Sequence, residues 1–440
     1  MTNEKDERIR ELEEENINLK TKLKKIEKEF EEFKANHTVT VSNLRRALNI
    51  KENVESRKPL GAPKGHAGYT RHVPDRIDVV KLLTIDKCPT CSSPLSDTQE
   101  IRERVVTDIA LKSKIVNTKY EIQRKYCAKC DKIVEPEVPN VLSHARYGLN
   151  IMLLVMYLKL GLRLPANKIR DFFWTLYSLS MSEGEVTVIL RQLANAFGDY
   201  YAMLEKIVKL AGVKHTDSTS WRVNGKNYFA WVFIAFGVVL YKIRRRNNAK
   251  VPLSVFGNKQ KGNTLVIDRH SALRSLAVKA GFMLQFCWSH ILTDSKTLAE
   301  AFGNEGRYVH KKLKEIYALA KSLNHEGTAE QVEQLKAEVL QLTLRHYQHS
   351  TIRRFVNNLY YRDVESLFRF VTDKTIDSTN NISERHLREL VVIRKISNGS
   401  RSARGANATA MLMSVIQTLR IRKQNVLDGL CRIVNNPSGY

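Results

Sequence analysis

Three acidic residues stand where carboxylates could hold divalent metal ions. Asp217 lies in VKHTDSTSWRV, whose alternation predicts a half-buried strand, and Asp268 closes the short apolar segment NTLVID. Aspartates on neighbouring strands can meet where the strands end, and hard divalent cations need oxygen ligands held close together. The pattern therefore predicts a centre for two magnesium or manganese ions, completed by one further acid from a packed helix.

We predict that Glu384, in the segment TNNISERHLREL, is that further acid. On a helix, Leu387 and Val391 lie three and seven positions after Glu384 and define an apolar face with Glu384 at its edge. Glu389 projects from the opposite side of the same helix. Glu384 is therefore the better placed of the two glutamates to approach the aspartates.

Four cysteines form two CxxC pairs, Cys88 with Cys91 and Cys127 with Cys130. Two intervening residues let both thiolates reach one ion from a tight turn, and two such turns supply the four sulfurs of a tetrahedral structural zinc site. A redox motif would need only one pair. Because the segment between the pairs is predicted to form strands, the sequence indicates one Zn²⁺ in a small ribbon-like module.

The chain is strongly basic, with 72 Lys and Arg against 46 Asp and Glu and a formal net charge of +26. Such a field attracts polyanions, so nucleic acid is the expected partner. There are two alternatives: a basic protein whose charge only keeps it soluble, and a protein that binds an anionic membrane surface. The longest apolar runs are shorter than the ~20 residues that cross a bilayer, and the N-terminus lacks the apolar core of a signal peptide. We therefore expect a cytoplasmic, nucleoid-associated protein.

The elements that must position the acids begin at Val213, where the hydrophobic pattern starts to alternate. NYFAWVFIAFGVVLYKI continues as a hairpin with Gly237 in its turn, and NTLVID and FMLQF are predicted strands separated by a helix from about Ser271. Charged helices are predicted over 291–370, and the segment around Glu384 begins a final helix. This order of elements predicts an α/β fold.

The N-terminal residues carry an unbroken heptad pattern. With Ile9, Asn16, Leu23 and Phe30 at the first core position, the single Asn lies where a buried polar pair fixes register and favours a parallel dimer. One amphipathic helix packed on its own domain is the alternative. We predict a homodimer or larger assembly through this coiled coil, followed by a basic Gly- and Pro-rich segment that is either an arm along DNA or a plain linker.

Residues 146–210 are predicted to be helical. Pro165 suits the start of one helix and Ser182 the cap of the next, with a short turn between them. This arrangement is a candidate helix-turn-helix in which Arg191 would contact DNA. Because two glutamates occupy the first turn of the second helix, a purely structural helical region stays open as the alternative.

The most basic stretch of the chain follows Glu384. Its candidate DNA-phosphate contacts are Arg385, Arg388, Arg394, Lys395, Arg401 and Arg404. Arg388 is also placed to be the helical partner of Glu384. Trp288 and His290, in CWSH, are candidate contacts to an unpaired base, although a buried Trp is the commoner outcome.

Four groups of segments together resemble transposases of the insertion-sequence sixty-six family. The similarity is carried by HTDSTSWRVNGKNYFAWVF, by CWSH, by NNISERHLRELVVIRKISNGSRSARGANATAMLMSVIQTLR, and by KPLGAPKGHAGYTR with the paired CxxC motifs. The resemblance implies a ribonuclease-H-like catalytic domain with an Asp, Asp, Glu triad, preceded by a zinc-binding segment and a helix-turn-helix. By match to the family motifs, the triad falls on Asp217, Asp268 and Glu384.

The resemblance also implies an activity: metal-dependent cleavage at transposon ends and transfer of the freed 3′-hydroxyl into target DNA. Two departures from the family pattern are that ILTDSK follows CWSH and that Arg269 and His270 follow Asp268. A zinc-dependent coiled-coil DNA-binding regulator without catalysis is one alternative, and a ribonuclease-H-like nuclease or resolvase is another.

The predicted parts are a coiled coil (1–37), a basic arm (38–76), a zinc-binding module (77–145), a helical region (146–210), a catalytic domain (211–424) with a helical insertion (about 291–370), and a C-terminal tail (425–440).

Overall fold

A computed structural model describes the central and C-terminal parts of the chain. The described residues are 115–119, 121, 125–127, 132–134, 140–143 and 145–435. The chain divides into two compact units, residues 51–116 and the remainder, and all described helices and strands belong to the second. The predicted coiled coil, the basic arm and the zinc ligands Cys88, Cys91 and Cys130 lie outside the described residues, as does the side chain of Cys127.

Two short strands precede the helical region. β1 (Lys125–Cys127) pairs with β2 (Lys132–Val134) in an antiparallel register that sets Cys127 opposite Lys132. The first residue of the second CxxC motif, Cys127, is therefore the last residue of β1, and Cys130 lies outside the described residues. The zinc site itself stays a prediction.

Residues 149–210 form helices, as predicted. They are α1 (Leu149–Met156), which continues into a π-helical turn (Tyr157–Gly161), α2 (Ala166–Tyr177), α3 (Glu183–Ala196) and α4 (Gly198–Leu210). Pro165 directly precedes α2, and the Ser182 hydroxyl accepts the Glu185 N–H at 3.1 Å while the Glu185 carboxylate accepts the Ser182 N–H at 2.6 Å. This reciprocal pair satisfies two free N–H groups at the start of α3, so both predicted helix starts are confirmed.

A mixed five-stranded sheet forms the centre of the unit. Its strands are β3 (Val213–Val223), β4 (Lys226–Ala235), β5 (Val238–Arg244), β6 (Thr264–Ile267) and β7 (Met283–Phe286). The spatial order is β5-β4-β3-β6-β7, with β3, β4 and β5 antiparallel to one another and β6 and β7 parallel to β3. The predicted strands, hairpin and α/β class are confirmed.

Helices connect and follow the strands. Two helices flank β6, namely α5 (Lys250–Phe256) before it and α6 (Ser271–Ala280) after it. Seven α-helices follow β7 in the described residues: α7 (Trp288–Ala301), α8 (Gly303–Ser322), α9 (Ala329–Leu344), α10 (Ser350–Tyr361), α11 (Asn381–Ser397), α12 (Ala403–Ile421) and α13 (Val426–Asn435). The helices expected over 291–370 are present. The helix that carries Glu384 is α11, and it was wrongly predicted to be the final one, because α12 and α13 follow it. The expected C-terminal tail includes α13, which buries Leu430 and Ile433.

The outer edge of the sheet is covered by α12. The hydroxyls of Ser414 and Thr418 accept the backbone N–H groups of Tyr241 and Val239 on β5, at 2.8 and 3.1 Å. A free strand edge would otherwise expose unpaired backbone groups to other chains. Helix α12 therefore completes the hydrogen bonding of β5 with side chains.

Both faces of β3 are covered at its beginning, where the alternating pattern predicted one polar face. In the alternation of VKHTDSTSWRV, Lys214 and Thr216 fall on the face opposite Asp217, which the pattern predicts to be polar and exposed. Neither residue exposes any surface to solvent. Phe256, at the end of α5, and Phe282, before β7, pack against the Lys214 ammonium and explain the difference. Within the described residues, none of the helices combines the length and the apolar character needed to cross a membrane.

Candidate functional site

Asp217 and Asp268 lie side by side at one level of the sheet. His215 on β3 pairs with Val266 on β6 in a parallel register, and each aspartate lies two residues further along its own chain segment. Asp268 comes directly after the last residue of β6, whereas Asp217 is within β3, which continues past the end of its shorter neighbour. The parallel pairing of two strands thus brings together two carboxylates that are far apart in the sequence.

Glu384 and His290 reach the same place from two helix starts. His290 is in the first turn of α7 and Glu384 in the first turn of α11. One ligand atom from each of Asp268, Cys287, His290 and Glu384 lies within 4.8 Å of the others. The Nδ1 atom of His290 is 3.1 Å from Asp268 Oδ1 and 3.6 Å from Glu384 Oε1. Asp268 and Glu384 therefore converge with His290 between them. Asp217 is not part of this four-residue cluster, but it lies close enough for the charges of Asp268 and Glu384 to act on its carboxylate.

Crowding of carboxylates changes their protonation. Burial, followed by the neighbouring Asp268 carboxylate, raises the pKa of Asp217 to about 7. Burial also raises the pKa of Asp268, while the nearby His290 opposes that change. A hydrogen bond to the Cys287 sulfur and the Asp268 carboxylate raise the pKa of His290 to about 9 despite its partial burial. The site thus concentrates negative charge that a bound cation would stabilise.

The geometry also leaves hydrogen-bonding capacity unused. Asp268 Oδ1 and His290 Nδ1 are shielded from water and, within the part of the chain that the structure describes, neither makes a hydrogen bond; they approach each other to 3.1 Å as an ion pair. Buried polar atoms without partners are uncommon in folded proteins and call for an explanation. A divalent cation bound by the Asp268 carboxylate would supply the missing partner, so the residues present fit a metal centre.

A cleft of about 220 Å³ opens beside the two aspartates. It is lined by Asp217, Ser218, Trp231, Asn247, Asp268, His270 and Leu273. The Ser218 hydroxyl donates to Asn247 Oδ1 at 3.1 Å, which ties the loop after β5 to β3. The cleft gives the carboxylates access to solvent and to a small substrate group.

Glu389, the glutamate that was not chosen, has a different environment. Its Oε2 atom is 3.4 Å from Arg163 and 3.6 Å from Arg420, so it joins α11 to the end of α1 and to α12. Its carboxylate faces away from Asp268 and Glu384. The structure therefore separates the two glutamates of α11 in the way that the helical pattern predicted.

The two candidate base contacts in CWSH differ in accessibility. Trp288 is fully buried, stacks on Tyr317 with ring centroids 4.9 Å apart, and donates its indole N–H to the Leu367 carbonyl at 2.7 Å. This environment favours packing over base contact, because neither the ring faces nor the N–H group are free. His290 keeps 39% of its side-chain surface exposed and faces the carboxylates.

The basic residues after Glu384 divide into two groups. The exposed ones are Arg385, Arg388, Lys395, Arg401 and Arg404, and none of them pairs with an acidic residue in the described part of the chain. Arg394 differs, because its guanidinium donates to the backbone and the hydroxyl of Ser220 on β3. Five of the six candidate phosphate contacts are thus free to meet DNA, whereas Arg394 ties α11 to the sheet.

Two residues of the site were not predicted from the sequence. Cys287 is outside the two CxxC pairs, yet it lies three positions before His290 across the start of α7, a spacing that brings side chains together. Asn380 is fully buried immediately before α11 and contacts β3. The spacing of CWSH could have indicated the first, but nothing local distinguishes Asn380 from the adjacent Asn381.

Comparison with known proteins identifies the family of the chain. Residues 144–408 match the family described as Transposase IS66 family, a span that covers more than half of the chain and includes all three acids. No curated protein shows significant sequence similarity to the chain.

Proposed function

Because the chain belongs to the IS66 family of transposases, we propose that it cuts DNA strands at transposon ends and joins the freed 3′ ends to target DNA. The observation that carries this proposal is that Glu384 on α11 lies in one cluster with Asp268, while the strand register and the mutual effect of their charges place Asp217 beside Asp268. A DNA-binding regulator has no need of three clustered carboxylates. Burial raises the pKa values of Asp217 and Asp268, and a bound cation would favour the charged forms of both carboxylates.

We further propose that the catalytic domain is ribonuclease-H-like. The strand order β5-β4-β3-β6-β7 supports this, with an antiparallel meander on one side of β3 and parallel strands on the other. In that arrangement the first and longest strand lies at the centre and carries the first acid. The helices α7 to α10 would then be an insertion between β7 and the helix that carries the third acid.

The carboxylates of Asp217, Asp268 and Glu384 would hold two magnesium or manganese ions. When bound, these ions would activate the attacking oxygen and stabilise the leaving oxygen in an in-line displacement at phosphorus. The strands hold the two aspartates rigidly, which keeps the ligand oxygens at constant separation during the reaction. His290 lies between Asp268 and Glu384, where it can neutralise charge and orient the carboxylates.

The proposed reaction has two steps at one site. In the first, a water oxygen bonds to the scissile phosphorus and the P–O3′ bond breaks, which leaves a 3′-hydroxyl on the transposon end and a 5′-phosphate on the flank. In the second, that 3′ oxygen bonds to a phosphorus of target DNA, and the target's own P–O3′ bond breaks. The proton of the attacking oxygen passes to solvent in each step.

The remaining parts would serve DNA binding and assembly. Arg385, Arg388, Lys395, Arg401 and Arg404 surround the start and end of α11 and would contact DNA phosphates. The predicted zinc module, held by one Zn²⁺, and the helical region are proposed to contact the ends, and the N-terminal coiled coil to form a homodimer or larger assembly that pairs them.

The test is strand cleavage and joining by an Asp217→Asn variant. We expect cleavage of end-containing DNA with Mg²⁺ to be lost, because one ligand oxygen of the centre is replaced by an amide, while binding of the same DNA persists. Asp199→Asn is the matched control, since Asp199 is an exposed aspartate on α4 away from the cleft. Cleavage by purified Asp217→Asn at the wild-type rate would refute the assignment.

The products decide between the proposal and its alternatives. Joining of a cut 3′ end to a second DNA excludes a nuclease or resolvase, whereas binding without metal-dependent cleavage by the wild type would indicate a regulator. The wild-type protein therefore has to be assayed on both labelled end DNA and unlabelled target DNA.

A further inference from the structure

Asn380 occupies the N-cap position of α11 but does not cap the helix. Asn at this position ordinarily accepts a hydrogen bond from an N–H of the first turn, and it is among the preferred N-cap residues for that reason. In α11 no side-chain cap hydrogen bond forms, and the Asn380 side chain is fully buried. Its amide is used for tertiary contacts instead, four residues before Glu384.

The amide joins α11 to the strand that carries Asp217. Asn380 Nδ2 donates to the carbonyl of Thr216 at 3.0 Å, which is the carbonyl of the peptide that leads into Asp217. Because a carbonyl can only accept, this contact fixes the orientation of the amide and leaves Oδ1 facing His215 Nδ1 at 3.3 Å. His215 must then carry its proton on Nδ1 and donate to Asn380.

Backbone contacts of the same segment join α11 to α7. The Asn380 N–H donates to the sulfur of Cys287 at 3.1 Å, and the Trp288 N–H donates to the carbonyl of Ser378 at 3.0 Å. The start of α7, which carries His290, is thereby tied to the loop before α11. Burial raises the pKa of Asp268, and a hydrogen bond with the Asn380 side chain lowers it. The Asn380 amide therefore lies close to the Asp268 carboxylate.

We propose that Asn380 is a positioning residue that sets the separation between Glu384 and the two aspartates carried by β3 and β6. The inference rests on the proposed function for the meaning of that separation, but the contacts themselves are independent of it. Asn380 connects β3, α7 and α11 at one fully buried point. A shift of the amide would move the start of α11, and with it Glu384, relative to Asp217 and Asp268.

The experiment compares Asn380→Ala and Asn380→Ser with Asn381→Ala in the full-length protein. Asn381 is the adjacent asparagine of α11 and is exposed, so its replacement is the matched control. Mn²⁺ binding is measured directly, by titration calorimetry or by the electron paramagnetic resonance of free Mn²⁺, with unfolding and metal-free DNA binding recorded in parallel. We expect Mn²⁺ affinity at the acidic centre to fall about 10- to 100-fold in both Asn380 variants, the usual effect of removing a residue that orients metal ligands.

Further readouts separate positioning from general destabilisation. Cleavage by the Asn380 variants should show a lower kcat at unchanged KM for DNA, and metal-free DNA binding should match that of the wild type. If Asn380→Ala does not fold, the comparison rests on Asn380→Ser, which keeps a small hydroxyl donor. Wild-type Mn²⁺ affinity in a folded Asn380 variant would overturn the inference while leaving the proposed function intact. Absence of cleavage by the wild type would refute the function, and the Mn²⁺ comparison would still decide the role of Asn380.

Discussion

Lys214 is a fully buried lysine at the start of the strand that carries the first acid. Its ammonium donates to the Ala211 carbonyl and to Gln260 Oε1, the latter at 2.9 Å. It also lies 5.9 and 5.6 Å from the ring centres of Phe256 and Phe282. These partners satisfy the ammonium only in part, because a buried charge loses its hydration.

Burial lowers the pKa of Lys214 from 10.5 to about 8. In the unfolded chain the pKa returns to its ordinary value, so between these two values the unfolded state binds more protons and stability rises with pH. The destabilisation is fully present below about pH 8 and disappears above the unfolded pKa. The gap between the two pKa values corresponds to roughly 3 kcal/mol, and most of it is recovered between about pH 7 and about pH 10.

Lys214→Met removes the titrating group and keeps the volume of the side chain. Urea unfolding of the wild type and the variant at about pH 7 and about pH 10 gives the free energy of unfolding of each protein at each pH. As the pH is raised, the free energy of unfolding of the wild type should increase by roughly 2 to 3 kcal/mol relative to that of the variant. Lys206→Met, at an exposed position on α4, is the control, and its free energy of unfolding should change with pH in the same way as that of the wild type. Parallel curves for wild type and Lys214→Met would refute the reasoning, because they would show that the ammonium is as well solvated when folded as when unfolded.

Two more predictions concern α11 and the residues after it. Glu384→Gln should abolish cleavage with little change in stability. Glu389→Gln should keep cleavage, but its free energy of unfolding should fall by on the order of 1 kcal/mol, because two arginines lose their shared partner. The urea midpoint and the cleavage rate of both variants test this, and the opposite pattern would show that the two glutamates have exchanged roles. Arg388→Ala and Arg404→Ala should each reduce the slope of log K against log salt for DNA by about one, while Arg394→Ala should leave it unchanged, because that guanidinium is bonded to Ser220. Equal slopes for all three variants would contradict a phosphate contact by the exposed arginines.

Much of the fold could be predicted from local pattern. Alternation identified β3 and the hairpin around Gly237, and the capping residues Pro165 and Ser182 marked two helix starts where the structure has them. These features depend on neighbours within a few residues, which a single sequence displays. The burial of Lys214 could not be predicted in this way, because the residues that cover it come from α5 and from the segment before β7.

The amino-acid sequence by itself determined the elements of this protein and which acids are candidates for its chemistry, because strand alternation, helical spacing and residue type are local properties. The tertiary structure alone decided what these residues meet. The parallel register of β3 and β6 set Asp217 beside Asp268, and the first turns of α7 and α11 brought His290 and Glu384 to them. Asn380 joins β3, α7 and α11, because its side-chain amide contacts β3 and its backbone N–H contacts Cys287 before α7. Such contacts depend on packing between segments that are distant along the chain, and no local pattern specifies that packing.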